Sequence, residues 1–128
     1  MARNDSDDRL LSQLADRVNR YYPLPDNCAQ TSFLALQEQF DLNGGAVLKA
    51  LTTCPGIALR GEICGVVVGC LMAPGLVFGR DELDDWAGYL SRLLPVRRSC
   101  AGFANEHVGS NCADVLERHL ARRYKLAD

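Results

Sequence analysis

The chain has 128 residues and a mass of 14.0 kDa, enough for one domain with a hydrophobic core and short for two. Apolar residues make up 48% and charged residues 23%, a balance that excludes a disordered chain. The formal charge of -2, from 14 Lys plus Arg against 16 Asp plus Glu, gives no general attraction for nucleic acid or an anionic membrane.

The first ten residues, MARNDSDDRL, hold no apolar run and no cleavage signature, so no secretion signal is read there. Residues 1–8 are expected as a flexible acidic N-terminus and residues 9–126 as one helical, cysteine-rich domain. Leu10, Leu11, Leu14, Val18 and Tyr21 recur at steps of three and four, which predicts a helix over about Asp7–Tyr21. Pro23 and Pro25 stop it, and Asp26 is the expected cap of a second helix over about Asn27–Phe40. Its inner stripe is Ala29, Phe33, Leu34 and Leu36. Asn43-Gly44-Gly45 breaks that helix, a short one follows at Ala46–Leu51, and Cys54-Pro55-Gly56 ends it.

From Ile63 to Phe78 the chain carries no charge, but a spanning helix needs about 20 apolar residues, so a buried helix to about Val77 is expected and no membrane association. Within it Gly61, Gly65, Gly69 and Ala73 recur every four positions. Each interior glycine costs roughly 1 kcal/mol relative to alanine, so the strip must be used by a neighbouring helix, a ligand or a second subunit. A homodimer is therefore one expectation. Pro74 should kink or end the helix near Met72, and Gly79 stops it. Asp81 is then expected to cap a helix over about Glu82–Leu94, with Leu83, Trp86, Leu90, Leu93 and Leu94 apolar, ended by Pro95. Asp81, Glu82, Asp84 and Asp85 read as first-turn partners of the helix dipole rather than an acid–base pair. A piece over about Ser99–Glu106 follows, Val108-Gly109 breaks the chain, Ser110 caps, and a last helix runs to about Tyr124. Arg97-Arg98 and Arg122-Arg123-Tyr124-Lys125 read as solvated basic faces. Strand signals are almost absent. The sum is an all-α fold: a single-domain helical bundle of four main helices plus short ones around a central Gly-rich apolar helix. A cytoplasmic protein is expected.

Six cysteines are present, without CxxC or zinc-finger spacing. Cys28, Cys64 and Cys112 each fall at an expected helix start. Unpaired backbone N–H groups and the helix dipole favour a thiolate there, and the same donors suit a thiolate that ligates an iron–sulfur cluster. Cys54 precedes a proline in a tight segment that a ligand could use. Cys100, after Arg97-Arg98, is expected at a helix start with a lowered pKa, as a fourth ligand or a resolving thiol. Cys70 points about 120° away from Cys64 on the helix wheel and reads as core. His107 is placed to orient the Cys112 turn, and His119 reads as structural. No HExxH, GxSxG, P-loop or dinucleotide fingerprint exists.

Three stretches in order carry a resemblance: Asp26-Asn27-Cys28-Ala29-Gln30; Gly61-Glu62-Ile63-Cys64-Gly65 through Val68-Gly69 and on to Met72-Ala73-Pro74-Gly75; and His107-Val108-Gly109-Ser110-Asn111-Cys112-Ala113-Asp114. Together they resemble the C_GCAxxG_C_C family, whose members look like small helical redox-active domains, related to a domain of split-Soret cytochromes. The resemblance puts Cys28, Cys64 and Cys112 on the family's cysteines. Without CxxCH, covalent haem is not expected. The chain departs from the pattern at Val66, where alanine is common, and at Thr52–Ala58, where a Gly-rich segment is usual and Cys54 is added.

The expected function is an iron–sulfur module, [4Fe–4S] or [2Fe–2S], with Cys28, Cys64 and Cys112 as ligands and Cys54 or Cys100 as the fourth, exchanging electrons with a partner oxidoreductase. The alternatives are a metal-free thiol–disulfide protein with Cys64 attacking, a zinc-binding subunit, or a helical scaffold with inert cysteines.

Overall fold

The computed structural model describes residues 4–23, 27–107 and 109–120. Six helices follow one another: α1 (Asp5–Tyr21), α2 (Cys28–Gln39), α3 (Gly45–Ala50), α4 (Gly65–Phe78), α5 (Trp86–His107) and α6 (Cys112–Leu120). A 3₁₀ turn at Leu51–Thr53 follows α3. Among the described residues there is no strand, only an isolated antiparallel bridge between Ile63 and Asn111. The all-α expectation therefore holds. The expected cap Asp26, the break at Val108, the Arg122–Lys125 cluster and the end of the last helix lie outside the described residues.

The core is small and local. Ala29 and Phe33 of α2, Leu51 of the 3₁₀ turn and Ala73 of α4 are buried together, ringed by Leu36, Leu42, Val47, Leu48, Val68 and Met72. The principal pair is α2 against α4. Gly65, Gly69 and Ala73, the buried residues of α4, form the contact strip. A Cβ at Gly69 would overlap the Ala29 carbonyl oxygen, and one at Gly65 would overlap the Cys28 sulfur. The glycine strip thus serves an intrachain contact in which backbone meets backbone, and side-chain-free surface is what lets α2 approach.

Helix α1 starts earlier than its apolar pattern, because Asn4 and Asp7 form a reciprocal capping box. None of its residues is buried, and Leu11 stays 45% exposed. It is tied to α2 by polar groups instead. Arg17 Nε donates to Gln39 Oε1 at 2.9 Å, Gln39 Nε2 donates to Gln13 Oε1 at 2.8 Å, and Arg17 and Tyr21 both donate to the Glu38 carboxylate.

Both internal prolines are absorbed. Helix α4 continues past Pro74 to Phe78, and α5 passes through Pro95. The two helices expected on either side of Pro95 are one helix of 22 residues. Ser91, whose carbonyl Pro95 cannot bond, is exposed, so water can satisfy it. The start of α5 also shifts from Asp81 to Asp85. The Gly88 N–H donates to Asp85 Oδ1 at 3.0 Å, and with Arg92 it holds the Asp85 carboxyl below its ordinary range.

Candidate functional site

Three chain segments meet at the N-terminal end of α4, and each brings one cysteine. Cys28 opens α2. Its cap is Asn27, whose Oδ1 accepts from the Gln30 N–H at 2.9 Å. Asn27 Nδ2 donates to the Thr52 carbonyl at 3.1 Å, and Gln30 Nε2 donates to the Leu48 carbonyl at 3.0 Å. These bonds pin the first turn of α2 to the α3 region and so fix Cys28.

Cys64 is the cap residue of α4 and is buried, 6% exposed. Cys112 opens α6. The segments before these two residues zip together in antiparallel fashion. The Cys64 N–H donates to the Ser110 carbonyl at 2.7 Å, the Ala113 N–H to the Gly61 carbonyl at 3.1 Å, and the Cys112 N–H to the Glu62 carbonyl. Gly61, with φ +78°, makes this approach possible; a Cβ there would sit 3.2 Å from Ala113 Cβ.

The wall opposite is an unusual turn. Gly56, Ile57, Ala58 and Leu59 all have positive φ, between 52° and 63°. They form one left-handed turn, closed by the Leu59 N–H to the Pro55 carbonyl at 2.8 Å and the Arg60 N–H to the Gly56 carbonyl at 3.0 Å. A left-handed conformation costs an L-residue about 1–2 kcal/mol, and Ile57 is β-branched, where it is rarest. Gly56 lies against Cys112, where a Cβ would be 3.5 Å from the sulfur.

The result is a cavity of about 510 Å³ lined by all three cysteines, with Thr52, Thr53, Pro55, Ala58, Val66 and Val115 among its walls. Cys54 and Cys100 do not line it. The half-buried Cys54 packs on the core, its Sγ 4.0 Å from the Ala50 carbonyl oxygen. Cys100 is not at a helix start but inside α5. It faces, with Cys70, a separate apolar groove of about 950 Å³ between α4 and α5. Cys70 is exposed rather than core, and its thiol lies along that groove. The two histidines meet: His107 Nδ1 and His119 Nε2 are 2.8 Å apart, and Phe103 packs on the His107 ring. This clasp joins the end of α5 to the helix that carries Cys112.

The thiol electrostatics run against the expectation of low pKa values at helix starts. The N–H groups of Cys28, Ala29 and Gly65 do lower the Cys28 pKa, but burial outweighs them, and Cys64 beside it adds to the rise. Burial likewise pushes the Cys112 thiol up, followed by Cys64 and Cys28. Among the described residues, no group of three or more His, Cys, Asp or Glu is placed to hold a metal ion. Cys28, Cys64 and Cys112 share the lining of one cavity. The sequence analysis assigns no site role to Asn27, Gln30 or Gly56, for which Pro55-Gly56 is the visible signal, and Gly61, expected in the small-residue strip, lies before α4 and against Ala113 instead.

No curated protein and no solved structure matches the chain. The family model described as "Putative redox-active protein (C_GCAxxG_C_C)" matches residues 26–127, a span that contains the three cavity cysteines and both histidines, and the chain belongs to that family.

Proposed function

We propose that Cys28, Cys64 and Cys112 hold an iron–sulfur cluster, and that the protein exchanges electrons with a partner oxidoreductase. The observation that carries this reading is the shared cavity, in which three thiols from three helix starts face common space. Three backbone N–H groups directed at the Cys28 sulfur reward negative charge there. Burial, with neighbouring thiols, raises the Cys28 and Cys112 pKa values, and a bound cation would favour their thiolate forms. A cluster would supply reversible one-electron chemistry, [4Fe–4S] and [2Fe–2S] both being compatible with thiolate ligation.

The chain's own residues set the surroundings. Val66 and Val115 give the cavity an apolar wall, and burial of Cys64 keeps water from one sulfur. Cys54 immediately precedes the cavity-lining Pro55 and is the fourth-ligand candidate; Cys100, in the other groove, is not.

The test is purification without oxygen, followed by a visible spectrum and assays of iron and acid-labile sulfide. Near-stoichiometric iron and sulfide with visible absorbance are expected, lost in Cys64→Ser and kept in Cys100→Ser. A colourless, iron-free protein that fails reconstitution overturns the proposal, and zinc content with thiol titration then separates a zinc site from a disulfide pair or inert thiols.

A further inference from the structure

Helix α5 is the longest in the protein, about 33 Å at 1.5 Å per residue, and none of its 22 residues is buried. One face, with Leu93, Val96 and Phe103, lines the groove shared with α4. A second face is exposed. Trp86, Leu90 and Leu94 recur every four residues along it and are 63%, 49% and 50% exposed. Leu83, just before the helix, extends the stripe and is 83% exposed. A surface helix normally buries one apolar stripe and turns polar residues outward; here the outward stripe is apolar too.

The charges flanking the stripe are segregated. Asp81, Glu82 and Asp84 precede α5, and Arg97 and Arg98 follow the stripe; all are exposed, and none forms an ion pair among the described residues. We propose that this face is a homodimer interface, in which α5 packs antiparallel on the α5 of a second copy about a two-fold axis near Leu90. In that register Leu90 meets its own counterpart, and Trp86 meets the second copy's Leu94. Arg97 and Arg98 lie beside the second copy's Leu83 and Glu82, with Asp84 close by. A parallel pairing would set acid against acid and Arg against Arg.

The glycine strip cannot serve instead, since α2 already covers it.

Sedimentation equilibrium of the full chain at physiological salt reads the outcome. A dimer of twice the chain mass is expected. Leu90→Glu, which sets two carboxylates face to face, should raise the dissociation constant by ~100-fold or more with helical content unchanged by circular dichroism. Reversal of Arg97 and Arg98 to Glu should weaken the dimer by ~10-fold, and adding Glu82→Arg with Asp84→Arg should restore it. This charge cycle decides the matter if Leu90→Glu fails to fold. A wild-type chain monomeric at ~100 μM overturns the proposal. So does a dimer indifferent to Leu90→Glu, and a charge cycle without rescue overturns the antiparallel register.

Discussion

The close contact of α2 with α4 yields a prediction whose sign depends on the geometry. Alanine at an open, helical glycine should stabilise by up to about 1 kcal/mol, because glycine loses more backbone freedom on folding. Gly75 of α4 is such a position: a Cβ there would meet nothing within 4 Å. Gly69, six residues earlier on the same helix, is the opposite case. A Cβ would overlap the carbonyl oxygen of Ala29 and press on its Cα at 3.2 Å. That neighbour is backbone inside α2 and cannot rotate aside, so the two helices must separate. Overpacking of this kind costs typically 1–3 kcal/mol, and separation also opens the contacts of Ala29 and Phe33. Against the propensity gain, Gly69→Ala should be net destabilising by about 1–2 kcal/mol, while Gly75→Ala gains a few tenths to 1 kcal/mol. Urea unfolding of the two variants beside the parent, with equal m-values, measures both. At roughly 4 °C per kcal/mol the melting temperatures should move in opposite directions. If Gly69→Ala is as stable as the parent or more so, the helices do not approach as described, and the strip has some other occupant.

Two further outcomes follow from the site itself. Ile57→Gly removes a β-branched residue from φ 52°, where the relief of about 1–2 kcal/mol exceeds the backbone entropy that glycine loses, so the variant should be more stable by about 0.5–1 kcal/mol in chemical denaturation; a loss of stability would show that the left-handed turn is absent. In the metal-free protein the raised pKa values of Cys28 and Cys112 mean that the folded state holds thiol protons more tightly than the unfolded chain does. Their contribution to stability should be full below the ordinary thiol value near 9.0 and should be lost as pH rises through the higher folded values. Alkylation of the native protein followed by peptide mapping should then show Cys28 and Cys112 reacting only at more alkaline pH than in the denatured chain, and equal profiles would refute the burial argument.

Local pattern carried most of the helices and little of their use. The apolar spacing of α2 and the uncharged run of α4 were legible because both bury a stripe at helical period. Helix α5 was misread as two pieces, since Pro95 removes one bond and a solvent-exposed helix can lose it without ending. The apolar stripe of α1 predicts the helix but not its exposure, because apolar spacing marks which face a helix could bury, not whether anything covers it.

The cysteine site shows where local reasoning stops. Helix starts at Cys28 and Cys112 and the cap at Cys64 were within reach of the sequence, and so was the inference that N–H groups face the sulfurs. Whether those N–H groups win is not a local question. It depends on how deeply each sulfur is buried and on how close the other sulfurs come, and both are set by contacts between residues far apart in the chain. The bond from the Cys64 N–H to the Ser110 carbonyl joins segments with all of α4 and all of α5 between them. The left-handed turn at Gly56–Leu59 puts Gly56 against Cys112 across a similar gap. Once these contacts are made, burial outweighs the helix-start donors and the thiols rise rather than fall. The same closure that gathers three cysteines around one cavity therefore makes Cys28 and Cys112 poorer thiolates. The proposed cluster therefore rests on three cysteines lining one cavity and not on their spacing along the chain.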